Sequence, residues 1–308
     1  MRPPDVLRRD WEELPLTIER KTVTHMVRAN RTTAIVHLEG GGEHGYGEEV
    51  TFQAADLLPA SPRERWPFSG TFGEFSLSLA SRDLCERTPE YEVVRHYRRW
   101  AFEAAALDLA LRQAGARFDA TVGHASEPVH FVVSPPPGFR AFPVEARLKI
   151  DAVDVRPGLP VDVIDFKEQG DRAAVEAALE LYPDALLEDP PVVVPGARVS
   201  WDIPITSVDA IRRLPDQPSA INVKPARLGS LAALFDLYEL CAAEGIDTYG
   251  GGQDELRPGR AQIQLLAALF HPHAPNDVAP AGYNEAGPAA ELPTSPLEIS
   301  SRVGFGIA

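Results

Sequence analysis

The chain is poor in cysteine: among 308 residues there are two, Cys85 and Cys241, in no metal-like spacing. That excludes a cysteine-ligated metal site, and the amphipathic setting of Cys241 predicts a buried free thiol. Basic residues are also in deficit, 30 Lys and Arg against 45 Asp and Glu, for a formal net charge of −15. So acidic a surface repels phosphate backbones, which argues against a nucleic-acid partner. It also requires that an anionic substrate be drawn in by a local cation, either a metal or a lysine. No run of about 18 apolar residues occurs, and the opening MRPPDVLRRDWEEL has no apolar stretch of the kind a signal peptide carries. A cytoplasmic protein with no membrane partner is expected.

What is present suits a globular chain with a sizeable core, at 44% hydrophobic and 24% charged residues. The length fits about two domains. The 29 prolines punctuate elements and form no low-complexity block.

Leu14–Arg20 and Thr33–Leu38 carry the β-branched residues of strands, and Gly40–Gly47 reads as a Gly-rich turn after them. A helical region is expected at about 88–114, where Phe102, Ala105, Ala106 and Leu109 recur on one face and Gly115 ends the run. Residues 1–125 are therefore read as an N-terminal α+β capping domain. From about 128 to the end the pattern alternates short strands with helices. The strands are Val129–Val133, Ala146–Asp151, Val161–Lys167, Ala185–Asp189, Arg198–Asp202, Ala220–Lys224 and Ile246–Tyr249. Helices are expected at Arg172–Tyr182, Ser230–Ala243 and Gln262–Phe270. This alternation predicts an α/β (β/α) barrel over 126–308, ending in a Pro-rich tail. About 180 residues are few for a barrel that typically takes roughly 250. Between Lys149 and Asp165 only 16 positions are available, too few for an ordinary crossover helix. The barrel is expected to be irregular or to lack helices.

Charged side chains end these strands, and period-two alternation sorts them. Asp165 and Lys167 share a face with Val163, while Asp162 points away. Glu188 shares a face with Leu186, Asp202 ends its strand, and Asn222 aligns with Lys224. Arg147, Lys149 and Asp151 align on an earlier strand. Barrel sites form at the C-terminal ends of strands. Three carboxylates from successive strands make an oxygen cage for a hard cation such as Mg²⁺, and a cation nearby lowers a lysine's pKa and readies it as a base. A lone carboxylate at a strand end is commonly a cap or turn residue, and Asp189 and Asp209 are read so. Lys167 is equally compatible with a solvated rim position.

Ala220-Ile-Asn-Val-Lys-Pro-Ala-Arg-Leu-Gly, followed by a helix and Gly245-Ile-Asp-Thr-Tyr-Gly-Gly-Gly, resembles the sixth and seventh barrel strands of the enolase superfamily. The resemblance is to the branch of muconate-lactonising enzymes, o-succinylbenzoate synthases and dipeptide epimerases. Leu187-Glu-Asp-Pro-Pro resembles its fourth strand, Trp201-Asp-Ile-Pro-Ile its fifth, and Arg147-Leu-Lys149 its second-strand Lys-x-Lys pattern with Arg in the first place. Ala101–Leu109 resembles a helix of its capping domain, and Gly45-Tyr-Gly-Glu-Glu a strand end there. The resemblance implies Asp165, Glu188 and Asp202 as ligands of Mg²⁺ (or Mn²⁺), with Lys149 and Lys224 as bases on opposite faces of a small carboxylate substrate. The third strand, Ile164-Asp-Phe-Lys, departs from the usual Asp followed by a small or amide residue, and Asp162 or Asp151 is the alternative ligand. The segments after Lys149 and Glu188 are shorter than is usual in the family.

The implied activity is abstraction of a proton α to a carboxylate, giving racemisation, epimerisation or β-elimination; the alternative is a catalytically silent barrel that binds a carboxylate or acts as a scaffold. Arg147, Lys167, Asn222, Gln253 and Glu255 are candidate substrate contacts, with Gly40–Gly47 and Gly251–Glu255 as specificity segments and the tail segment 271–277 as a weaker one. His271 and His273 are expected to be solvent-exposed. A homo-oligomer is expected.

Overall fold

Burial alternates at the start of the first strand, where exposed Pro15 and Thr17 flank buried Leu16 and Ile18, as a sheet with one face on a core requires. In the computed structural model, which describes residues 7–28, 31–136, 138–139, 146–284, 292–300 and 302–306, this strand is β1 (Pro15–Arg28). It joins β2 (Arg31–Gly40), β3 (Glu43–Glu49) and β4 (Ser61–Thr71) in an antiparallel sheet of order β3-β2-β1-β4. The expected turn over Gly40–Gly47 is shorter: only Gly41 and Gly42 turn, both at positive φ. Residues 43–49 are a strand, with Gly45 and Gly47 in it because β3 lies directly on a helix. A Cβ at Gly47 would stand 2.0 Å from the carbonyl oxygen of Ala101.

Three helices follow: α1 (Phe72–Ala80), α2 (Val93–Gln113) and α3 (Phe118–Val122). Thr71 and Glu74 form a capping box at the start of α1. Fifteen of the 21 residues of α2 are buried, because the helix lies between the sheet on one side and the second domain on the other. Glu103 of α2 accepts from the N–H of Leu231 across that boundary at 2.9 Å.

Among the described residues the second domain is a parallel sheet of seven strands in sequence order: β5 (Val132–Val133), β6 (Arg147–Asp151), β7 (Val161–Asp165), β8 (Leu186–Glu188), β9 (Arg198–Trp201), β10 (Ala220–Val223) and β11 (Asp247–Gly250). Among the described residues five helices accompany it: α4 (Arg172–Leu181), α5 (Val208–Arg212), α6 (Pro225–Leu228), α7 (Leu231–Glu244) and α8 (Pro258–Phe270). Asp171, Ser207 and Ser230 accept from the N–H three residues on and so start α4, α5 and α7. Among the described residues no helix connects β6 to β7 or β8 to β9, as the short spacing predicts; a single 3-10 turn at Ala152–Asp154 serves the first connection.

The sheet curls until its two edges meet a short stretch after α8. Asn276 bridges in parallel to Phe131 and Asp277 to Gly251. The N–H of Asp277 donates to Gly250 O at 2.7 Å, and the N–H of Val132 donates to Asn276 O at 2.9 Å. This stretch takes the eighth place in the barrel wall. The lumen is filled by Val163, Leu186, Ala220 and Tyr249, while Val199, Trp201, Ile221 and Val223 face outward to the larger core. Cys241 is buried and free. No helix among the described residues is long and apolar enough to cross a membrane.

Candidate functional site

Val163 and Leu186 occupy the lumen, so two residues on Asp165 and Glu188 also point inward, at the C-terminal mouth of the barrel. Glu188 is completely buried. Lys149 of β6 reaches it, Nζ donating to Oε1 at 2.5 Å. The same ammonium lies 3.6 Å from Asp165 and 3.5 Å from Asp277. Burial alone would lower the pKa of Lys149, but Glu188, Asp277 and Asp165 outweigh it and hold the group well above the usual lysine range. Glu188 Oε2 accepts from Asn222 Nδ2 at 3.0 Å and from the hydroxyl of Tyr249.

A second cluster lies beside the first. Lys224, the residue after β10, donates to Asp202 Oδ2 at 2.6 Å, and Arg227 Nε is 3.4 Å from Asp202 Oδ1. Burial pushes Asp202 upward, yet Lys224 and Arg227 prevail and leave it below the ordinary carboxylate value. Asp202 Oδ1 is buried with no hydrogen-bond partner. Asp189 ties the two clusters together: its carboxylate accepts from the N–H of Asp202 at 2.9 Å and of Ile203 at 3.0 Å. Burial first, and then Asp202, raises Asp189 to about 7.

Carboxylate oxygens of Asp165, Glu188 and Asp189 lie within 4.8 Å of one another. An all-oxygen set this compact fits a hard divalent cation, and Asp202 beside it adds Oδ1, which accepts no hydrogen bond and has the Arg227 guanidinium as its ionic neighbour. Of the expected ligands, Asp165 and Glu188 are therefore brought together. Asp202 is adjacent and turned toward Lys224, while Asp189, read from the sequence as a cap, both caps the Asp202 turn and joins the acidic group. Asp209 is exposed in the first turn of α5, where Ser207 is the capping residue.

The alternative third-strand ligands lie outside this cluster. Asp162 pairs with Arg147, and Asp151 with Lys167 at 2.5 Å. Arg147 begins β6, at the end of the strand opposite the mouth, with its side chain 56% exposed. Lys167 is a half-exposed rim residue. Gln253 is buried, its N–H donating to Glu255 Oε2 at 2.9 Å and its amide Nε2 3.4 Å from the hydroxyl of Tyr97. Gln253 Oε1 is left without a partner. Glu255 is buried in the same loop.

The Gly40 end of the Gly40–Gly47 segment lies elsewhere. Gly40 O accepts from Gln113 at the far end of α2, 16 residues from Tyr97 and so about 24 Å along the helix. Besides Tyr97, the start of β2 meets this loop from the N-terminal domain, with Arg31 Nη1 2.7 Å from Asp254 Oδ2. His271 is not exposed: it is buried, with Nδ1 against Asn276 Oδ1 at 2.6 Å and Nε2 against Tyr238 at 3.0 Å. His273 is exposed as expected.

Sequence reasoning reached Asp277 only within the weaker tail segment 271–277, and it missed Tyr249, Ser200, Arg227 and Tyr97. Strand phase was signal enough for Tyr249 and Ser200, which alternate with outward neighbours. Asp277 belongs to an eighth strand reduced to two bridges, whose only trace in the sequence is that seven strands leave a barrel open. Nothing in the local pattern of α2 marks Tyr97.

Residues 10–121 match the family described as "Domain of unknown function (DUF8230) N-terminal domain", and residues 143–285 that described as "Domain of unknown function (DUF8230) C-terminal domain". Over 115 residues, 35% of this chain, the sequence is 30% identical to an o-succinylbenzoate synthase of Bacillus subtilis (strain 168), and the match spans 31% of that relative's length. A dipeptide epimerase from Methylococcus capsulatus, complexed with Mg ion, superposes with a TM-score of 0.68 at 17% identity, covering 94% of this chain and 99% of that one. A putative mandelate racemase/muconate-lactonizing enzyme from Roseovarius nubinhibens ISM, complexed with magnesium, gives 0.62 at 18% identity, covering 94% and 96%. Muconate cycloisomerase from Pseudomonas fluorescens gives 0.62 at 14% identity, covering 95% and 96%. The chain is thus built of the N- and C-terminal domains of one family, on the fold of the enolase superfamily, as residues 220–270 suggested.

Proposed function

We propose that this chain is an enzyme that removes and returns the proton α to the carboxylate of a small substrate, with Mg²⁺ held by Asp165, Glu188 and Asp202. The observation that carries this reading is the pairing of two lysines with two buried carboxylates at one barrel mouth, Lys149 with Glu188 and Lys224 with Asp202. Asp165 and Glu188 belong to the compact acidic group, Asp202 contributes Oδ1, which accepts no hydrogen bond, and Asp189 keeps the Asp202 turn in place. A divalent cation bound there would offset the negative charge that builds on the substrate carboxylate as the α-proton leaves.

The lysines do the proton transfer. The carboxylates around Lys149 favour its ammonium form, as Asp202 does for Lys224; each is thereby kept as a proton donor. Either becomes a base once its carboxylate neighbours are engaged elsewhere and burial is left to act alone. General acid–base catalysis of this kind is worth roughly 10²–10⁴ in rate. With both lysines acting from opposite sides the result is racemisation or epimerisation, the outcome favoured here. With one acting as base and the other only stabilising charge, a β-leaving group departs.

Candidate carboxylates incubated in D₂O with Mg²⁺ test the reading. Deuterium is expected at the α-carbon with the wild type, and racemisation is expected to be lost in Lys224→Ala, where Lys149 alone remains to exchange the proton on its own face. No deuterium uptake, together with unimpaired activity in Lys224→Ala, would refute it.

One observation favours the alternative of a silent barrel: the Lys149 ammonium already supplies a cation to Glu188, Asp165 and Asp277. In that case neither Mg²⁺ nor Mn²⁺ raises the melting temperature, as a ligand of the native state alone must.

A further inference from the structure

Beneath the acidic cluster lies a phenol that the proton-transfer scheme leaves unused. Tyr249 is 1% exposed, and its ring packs in the lumen with Val163, Leu186 and Ala220. β11 and β8 are three places apart in the sheet, so the hydroxyl meets Glu188 across the lumen and not along the wall. The small side chain of Ala220, on the neighbouring strand, leaves room for the ring.

The hydroxyl donates to Glu188 Oε2. Its proton thus committed, its oxygen accepts from Ser200 Oγ at 3.0 Å. Burial and the Glu188 charge both push the phenol pKa up, which keeps the donor protonated. Asn222 Nδ2 is the second donor to Oε2, at 3.0 Å. Glu188 therefore has one edge held by neutral donors from the barrel floor and the other, Oε1, turned to Lys149. A carboxylate left to itself rotates; this one is fixed from below.

Resting on the metal reading above, we infer that Tyr249, backed by Ser200, is a positioning residue that presents the Oε1 edge of Glu188 to the cation. Partners that orient a ligand in this way are typically worth 10–100-fold in metal affinity.

The test is calorimetric titration of Mg²⁺ into the full chain as wild type, Tyr249→Phe and Ser200→Ala, with the metal-free melting temperature of each. Phe keeps the ring and removes the donor. Tyr249→Phe is expected to bind Mg²⁺ 10–100-fold more weakly, Ser200→Ala to shift in the same direction by a smaller factor, and the metal-free melting temperatures to stay close to wild type. A lowered metal-free melting temperature with unchanged affinity marks a merely structural role and overturns the inference. So does wild-type affinity in both variants. Should Tyr249→Phe fail to fold, Ser200→Ala decides by the same criterion. Wild-type protein that gives neither binding heat nor a melting shift overturns the metal reading and this inference together, whereas unchanged affinity in the variants of a Mg²⁺-binding protein overturns this inference alone.

Discussion

Glu48 at the end of β3 accepts a hydrogen bond from the backbone N–H of Gly259 at 3.1 Å, so the N-terminal domain caps the last helix of the barrel. The same carboxylate accepts from the N–H of Leu256 at 2.7 Å and of Arg257 at 3.1 Å. Three otherwise unpaired donors at a helix start are satisfied by one anion, where the helix dipole also favours negative charge. Glu48→Ala is expected to cost about 2–3 kcal/mol, from buried charge-assisted hydrogen bonds and the lost cap. Urea unfolding measures it, and Glu48→Gln should recover part of the loss.

Asp189 and Asp202 are expected to part company under amide substitution. Asp202→Asn should abolish a Mg²⁺-induced rise in melting temperature, because the substitution removes a proposed ligand charge. Asp189→Asn should retain most of it, since one amide oxygen still accepts from the Asp202 N–H. Equal losses in the two variants would make Asp189 a ligand alongside Asp202.

Lys149 balances buried negative charge, so Lys149→Met should destabilise the metal-free protein by about 3–5 kcal/mol, the usual cost of breaking a buried pair by removing one partner. Mg²⁺ should then raise the melting temperature of the variant more than that of the wild type, because the cation replaces what the lysine supplied. Thermal scans with and without metal check both parts.

His271 sets a pH dependence with a definite sign. Its folded pKa is lowered to about 4 by burial, against roughly 6.5 when unfolded. Nδ1 faces the Asn276 oxygen and Nε2 the Tyr238 hydroxyl, so the neutral ring is fully partnered. The stability it confers is complete above about pH 6.5 and is lost as pH falls toward 4, to a total of about 3 kcal/mol. Urea midpoints between pH 4 and 7 should show this slope in the wild type and not in His271→Gln.

Gly47 allows β3 to touch α2. A Cβ there would meet Ala101 O at 2.0 Å and Ala105 N at 2.8 Å, both backbone atoms that side-chain rotation cannot move. Gly47→Ala is expected to cost about 3 kcal/mol or more, at the upper end of overpacking penalties, with the urea midpoint as the readout.

The barrel half was legible because strands buried on both faces follow a strict alternation that sorts inward from outward residues. Val163, Asp165, Leu186, Glu188, Asn222 and Lys224 all face as that alternation requires. Spacing alone carried the missing helix between Lys149 and Asp165. What failed were contacts made by reach. Asp189 joins the acidic group from a positive-φ turn, a conformation that period-two counting does not register. Tyr97 arrives from a different domain, and a distance across two domains leaves no local pattern. The Gly-rich stretch 40–47 misled because glycine signals a turn and a close approach equally well. Here two of its glycines turn and the next two let a strand lie on a helix.

The bridges at Asn276 and Asp277 give one short segment two duties. It is the last stave of the barrel, and it carries an anion beside Lys149, held in turn by Ser134 at 2.9 Å. A shortened version of the chain ending after α8 would lose the seam and the anion in one cut. A neutral side chain in place of Asp277 would keep the architecture and give up the charge.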